Sequence, residues 1–274
     1  MRKFLTILAI IIVAQQVAVA QVGKVAAMRG KVENGYDFWI YAPEDYFVRT
    51  NDMFPLIIDL HGKTTCGKRL HPYTKYYSLE AIAMGRKVDA MVITPQNPGG
   101  SWKPERLNNV LEWVLDNYRV DPDSVYVMGM SLGGYGTMDF VGTYPEKIAA
   151  AMAMCGGSTL KDVQGLGQLP FWIIHGTADR AVSINASKKV VAALQQEGND
   201  KLLRYDWIHG GSHGLLARVF YLSECYEWLL SHKRGATPEE VNRTIVIDNS
   251  VFSRTYRDLH TRKLTTIPEV KDFK

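Results

Sequence analysis

The feature that most constrains this chain is an alternation. Short apolar runs at 55–61, 90–94, 124–128, 149–154, 171–175 and 202–208 are separated by stretches of helical period at 76–86, 105–118, 132–144, 183–197 and 215–230. Apolar runs this short, without polar alternation, fit strands buried on both faces. In 105–118, Leu107, Val110, Leu111, Val114 and Leu115 fall on one helical stripe. Pro145 and Gly198 stop two of the helices. Strand and helix taking turns call for an α/β class: a mainly parallel central sheet with helices on both faces. Two alternating runs, 25–33 and 36–42, come first and are separated by Asn34-Gly35. Both residues tolerate positive φ, so the pair predicts an antiparallel N-terminal hairpin. The reading is one domain over 25–233.

Residues 1–20 stand apart. Arg2 and Lys3 precede an apolar run, and Ala18-Val19-Ala20 offers small residues at a peptidase spacing. This is the pattern of a secretory signal peptide cleaved before Gln21. The run is short for a membrane span, and Gln15-Gln16 interrupts it. The expectation is a secreted or periplasmic protein with no membrane span after cleavage. Residues 234–274 read as a C-terminal extension of unknown role. A short helix capped at Thr237-Pro238-Glu239-Glu240 and a short strand at 244–247 are expected within it.

Charge excludes one class of partner. The formal net charge is +4, and loss of Arg2 and Lys3 with the leader lowers it to +2 (4 − 2). With no dense Lys/Arg block, nucleic acid is not an expected partner. Three cysteines, Cys66, Cys155 and Cys225, leave at least one thiol outside any intrachain disulfide. A Cys66–Cys155 bridge stays open. No metal site and no cofactor are expected, since neither a Cys-x-x-Cys pair nor a His-Glu-x-x-His helix occurs.

The chemistry concentrates in three short motifs. Gly129-Met130-Ser131-Leu132-Gly133 fits Gly-x-Ser-x-Gly. A bare match arises by chance roughly one time in ten in a chain of this length. Its setting is more specific: an expected strand runs directly into it and an expected helix runs directly out. That setting forces a serine onto a sharp strand-to-helix turn, with its hydroxyl above the sheet and a helix N-terminus beneath. His175-Gly176-Thr177-Ala178-Asp179 follows a later strand, and Gly210-Gly211-Ser212-His213-Gly214 follows the last one.

These motifs, with Leu60-His61-Gly62, resemble the α/β-hydrolase superfamily over residues 55–233. The chain is similar to single-domain secreted esterases: feruloyl and acetylxylan esterases, polyhydroxybutyrate depolymerases and dienelactone-hydrolase-like proteins. The prolyl-oligopeptidase catalytic domain shares the pattern. The resemblance implies Ser131 as nucleophile, Asp179 as acid and His213 as base, in the superfamily's order.

The residues themselves support these roles. A serine hydroxyl needs a base within hydrogen-bond reach. Of seven histidines, His61 and His175 end buried strands beside glycine, where structural roles are expected. His71, His232 and His260 lack a supporting motif. His209 and His213 both follow the last strand, and the two glycines before His213 let its loop curl over the sheet end. Asp179 lies where ligands bind in open α/β sheets, at the carboxyl edge. The backbone N–H groups of Leu132 and Lys63 are the expected oxyanion donors, although the loop 63–67 is poorer in glycine than its counterparts. Trp102 either lines the substrate pocket or packs under a loop. Tyr135 and Asp139 read as structural.

The function expected is hydrolysis of a carboxylic ester, on a small molecule or a polysaccharide decoration. The short stretch between Met154 and Pro170 offers no large lid. A peptidase acting on short peptides is the alternative within hydrolysis. A non-catalytic binding protein on the same fold is the alternative outside it.

Overall fold

The computed structural model describes residues 23–236, 240–257, 259 and 265–273. The leader expected at 1–20 and the helix cap expected at 237–239 lie outside the described residues. The strands are β1 (Lys24–Met28), β2 (Phe38–Ala42), β3 (Phe54–Leu60), β4 (Met91–Pro95), β5 (Val120–Met130), β6 (Ala150–Met154), β7 (Phe171–Gly176), β8 (Leu203–Ile208) and β9 (Glu269–Val270). The helices are α1 (Glu44–Val48), α2 (Tyr77–Ala83), α3 (Pro104–Asn117), α4 (Leu132–Thr143), α5 (Asn185–Gln196), α6 (His213–Leu216), α7 (Ser223–Leu230) and α8 (Asn249–Arg254).

All nine strands form one sheet in the order β8-β7-β6-β5-β3-β4-β2-β1-β9. Neighbours from β4 through β3, β5, β6 and β7 to β8 are parallel. Only β2 runs against its neighbours, β1 and β4. Side chains alternate across the sheet and feed two cores. Ile57 and Trp172 pack on the face that carries α2 and α7, with Leu79 and Trp228. Ile58 and Ile173 pack on the opposite face, against Val110 of α3, Phe140 of α4 and Leu194 of α5. The sheet is therefore apolar on both sides, as its uninterrupted runs require.

Three expectations need correction. The first hairpin is not closed by a two-residue Asn-Gly turn. Met28 pairs with Phe38, so residues 29–37 form the connection, and Asn34 takes positive φ (52°) inside it. Arg29, Lys31 and Glu33 break the apolar pattern early enough to end pairing there. The helix expected at 215–230 is broken into α6, a 3₁₀ turn at Ala217–Tyr221 and α7. Residues 244–247 are not a strand; α8 follows them instead.

The described parts of the C-terminal segment, 240–257 and 265–273, contact both ends of the sheet. Arg204 on β8 stacks on Trp172 at 3.6 Å and donates to the Ile245 carbonyl at 2.5 Å. Trp228 Nε1 donates to the Asn242 carbonyl at 3.0 Å. Phe252 and Ile267 are buried in the α2/α7 core. β9 then pairs with β1 at the opposite edge, and Phe273 packs against Tyr46, Phe47 and Tyr118. The described parts of the segment thus reach both ends of the sheet, by side-chain bonds at β8 and as the outer strand beside β1.

Candidate active site

β5 ends at Met130 and α4 begins at Leu132, so the chain reverses within one residue. That residue, Ser131, has φ 60° and ψ −119°, a conformation L-residues avoid. The neighbouring glycines allow it. A Cβ on Gly133 would lie 1.7 Å from the Leu60 carbonyl oxygen, and one on Gly129 would lie 2.4 Å from the Gly133 oxygen. The Ser131 N–H is tied to the Met154 carbonyl at 2.9 Å. The Ser131 hydroxyl makes no cap hydrogen bond to α4. It is therefore not a helix-capping serine, and its oxygen stays free for other chemistry.

Asp179 sits in the loop after β7, and its side chain is fully buried. Oδ1 accepts N–H groups from Ala181 at 2.8 Å and Val182 at 2.9 Å. Oδ2 lies 2.7 Å from Nδ1 of His213, the first residue of α6 after β8. Burial by itself would push the Asp179 carboxyl up. The bonds from Val182, His213, Ala181 and the Cys155 thiol outweigh it and hold the carboxyl below the ordinary range. With Nδ1 on Asp179, Nε2 is the His213 nitrogen left for another partner. The His213 side chain is 25% exposed. His209 is exposed, and its carbonyl, not its ring, is engaged, by Asn249.

The loop after β3 borders the serine. A Cβ on Gly62 would stand 3.6 Å from Ser131 Cβ. The Gly62 carbonyl receives two bonds, from His61 Nδ1 at 2.8 Å and Thr65 N–H at 3.2 Å. In a trans peptide the next N–H points the opposite way, so this anchoring fixes the direction of the Lys63 N–H. His61 Nε2 accepts the Asn97 N–H at 3.0 Å. Burial pulls this imidazole down to about 4, which keeps it neutral and suited to bridging a carbonyl and an amide. The structural role read for His61 matches this geometry.

Trp102 is 3% exposed. Its indole N–H points at the His61 carbonyl at 3.4 Å, and its ring meets His61 and Tyr36 edge-on. A Cβ on Gly136 would lie 2.5 Å from it. Trp102 therefore packs against the loop after β3. Asp139 is structural as expected, accepting from Ser158 and Thr159.

Sequence reasoning missed Cys155. It is buried, has positive φ (48°), and all three cysteines are free, so no Cys66–Cys155 bridge forms. Its sulfur lies within 4.8 Å of ligand atoms of His175 and Asp179, the one such potential metal-binding group among the described residues. Those atoms already serve the Asp179 loop. No sequence signal marks Cys155, because its importance comes from β6 lying beside β7.

A strained serine between β5 and α4, with the acid after β7 and the histidine after β8 on one parallel sheet, decides the architecture. The chain has the α/β-hydrolase fold. The scan against family models gave no match. "Probable acetylxylan esterase A" of Neosartorya fischeri is 21% identical over 216 residues, which is 73% of this chain and 56% of that protein. The chain thus spans just over half the length of that curated relative. Among solved structures, a thermostable esterase superposes with TM-score 0.65 at 24% identity, over 79% of this chain and 64% of that one. A ferulic acid esterase superposes with TM-score 0.57 at 15% identity, over 77% of this chain and 98% of that one. A puromycin-hydrolyzing peptidase of Mycobacterium tuberculosis superposes with TM-score 0.57 at 17% identity, over 79% of this chain and 41% of that one. Among the described residues, no helix is long and apolar enough to cross a membrane.

Proposed function

We propose that this chain is a serine hydrolase that cleaves carboxylic esters through an acyl-serine intermediate. The observation that carries the reading is the 2.7 Å contact of His213 with the buried Asp179, on the same sheet edge as a serine held in a strained turn. Ser131 attacks the ester carbonyl while His213 Nε2 takes the hydroxyl proton. Asp179 fixes the tautomer that leaves Nε2 basic and stabilises the imidazolium that forms. The N–H groups of Leu132 and Lys63 receive the negative charge developing on the carbonyl oxygen. His213 returns the proton to the leaving alcohol, and the acyl group stays on Ser131. Water activated by His213 then releases the acid.

Esters fit better than bulky lipids, because 155–170 holds only a 3₁₀ turn at Gln164–Gln168 and no lid-sized element. An exported enzyme acting on a small ester, or on an ester decorating a polysaccharide, accords with a cleaved leader at 1–20 and with the esterases the chain resembles. The test is hydrolysis of p-nitrophenyl acetate beside labelling by a fluorophosphonate probe. Wild type should turn over and label, and Ser131→Ala should do neither, losing ~10⁴-fold or more in turnover. Equal labelling of both proteins overturns the reading. Acetyl, butyryl, feruloyl and peptide substrates, run side by side, then rank the acyl group.

A further inference from the structure

We propose that His175 is a positioning residue for the Asp179–His213 pair, its Nε2–H donated to the Val182 carbonyl and lying beside the carboxylate oxygen that His213 uses. The inference rests on the triad reading above. His175 Nε2 lies 3.1 Å from the Val182 carbonyl and 3.4 Å from Asp179 Oδ2. Both neighbours only accept, so this nitrogen must carry a proton. Nδ1 faces the Ser187 hydroxyl at 2.8 Å, and that oxygen lies 2.7 Å from the Gly156 carbonyl. A neutral ring has a single proton; with it on Nε2, Nδ1 can only accept, so the Ser187 hydroxyl turns to Nδ1.

The ionisable groups facing His175 are Asp179, His213 and the Cys155 thiol. The ring is fully buried, and burial pulls it down so that it stays neutral. It therefore offers a dipole without a neutralising charge. Asp179 keeps its negative charge for His213 while Oδ2 is held in place, and Oδ1 is held by two backbone amides. The anchor is stiff because each part belongs to a different rigid element. His175 comes from β7 and Ser187 from α5. Gly156 lies tightly on the nucleophile helix, where a Cβ on it would be 2.6 Å from the Gly134 carbonyl carbon. His175, Ser187 and Gly156 are thus packed between the acid and α4.

The test compares His175→Leu and His175→Gln with wild type, using p-nitrophenyl acetate across pH, with thermal unfolding as the fold control. His175→Leu should lower kcat about ten- to a hundredfold with little change in KM. Its acid limb of kcat/KM should move about half a unit to one unit to higher pH, because the charge once shared with His175 now faces the base alone. His175→Gln carries an amide N–H to the same place and should restore most of kcat and the wild-type limb. A folded leucine variant whose acid limb stays at the wild-type position overturns the proposal, whatever its rate. Should that variant not fold, wild type decides through ¹⁵N shifts of the histidine ring. A neutral ring protonated on Nε2 supports the role, and one protonated on Nδ1 overturns it. Ser131→Ala runs alongside. If it keeps wild-type turnover, the triad reading falls. If it is inactive while the limb does not move, only the role of His175 falls.

Discussion

His213 Nδ1 and Asp179 Oδ2 stand 2.7 Å apart although 34 residues separate them (213 − 179). α5 and β8 fill that interval, and the parallel pairing of β7 with β8 brings the two loops back to one edge. The contact sets which imidazole nitrogen remains basic. Asp179→Asn keeps the shape and removes the charge, so its amide can hold the wrong tautomer. Turnover of p-nitrophenyl acetate should drop by ~10⁴-fold with the melting temperature little changed. A loss below tenfold in stopped-assay kinetics contradicts the assignment of Asp179.

Two glycines beside the serine separate fold from function. Gly133→Ala drives a methyl to 1.7 Å from the Leu60 oxygen, backbone against backbone, with nothing able to move aside. Urea titration should show a loss of more than about 3 kcal/mol, or no folded protein. Gly62→Ala meets its nearest atoms at 3.5 and 3.6 Å, ordinary contact, with φ −78° already suited to alanine. It should fold within about 0.5 kcal/mol of wild type. Its methyl nonetheless crowds Ser131, and kcat/KM should fall about tenfold or more.

Asp59 predicts a pH dependence of stability unrelated to catalysis. It is buried on β3; Oδ2 accepts the Ser78 N–H at the start of α2, and Oδ1 has no partner. Burial pushes its carboxyl up to about 7 from 3.8. Between those values the folded chain holds a proton that the unfolded chain has lost. Asp59's contribution is therefore greatest below about pH 4 and declines as pH rises through about 7. Chemical denaturation from pH 5 to 8 should show this fall. Asp59→Asn, which keeps the acceptor and cannot ionise, should flatten it. An unchanged slope in the variant shows that other groups set it.

The C-terminal segment should matter for stability. Phe273 is 9% exposed, with ring centroids 5.5 to 6.0 Å from Tyr118, Phe47 and Tyr46. Phe273→Ala should cost about 3 kcal/mol in urea unfolding. Activity at 25 °C should persist, since the proposed site lies after β3, β5, β7 and β8, away from Phe273. A variant as stable as wild type would mean the segment is an ornament of the folded state.

The sequence by itself determined the strand and helix order from β3 to β8, because unbroken apolar runs and helical stripes are local patterns. It also determined the three motifs, since Gly129 and Gly133 around Ser131 record a backbone approach in the choice of residue. Tertiary structure decided what depends on neighbours distant in the chain. Trp102 became buried because His61, Tyr36 and Gly136 close around it. Cys155 and His175 came to bear on Asp179 because β6, β7 and α5 are packed side by side. Residues 240–257 came to lie on the sheet because Trp172, Arg204 and Trp228 supply partners for a segment with no periodicity of its own. Local pattern encodes what a residue does to its own backbone. It is silent on which distant side chain arrives next to it, and contact at that range is where the chemistry of Asp179 is set.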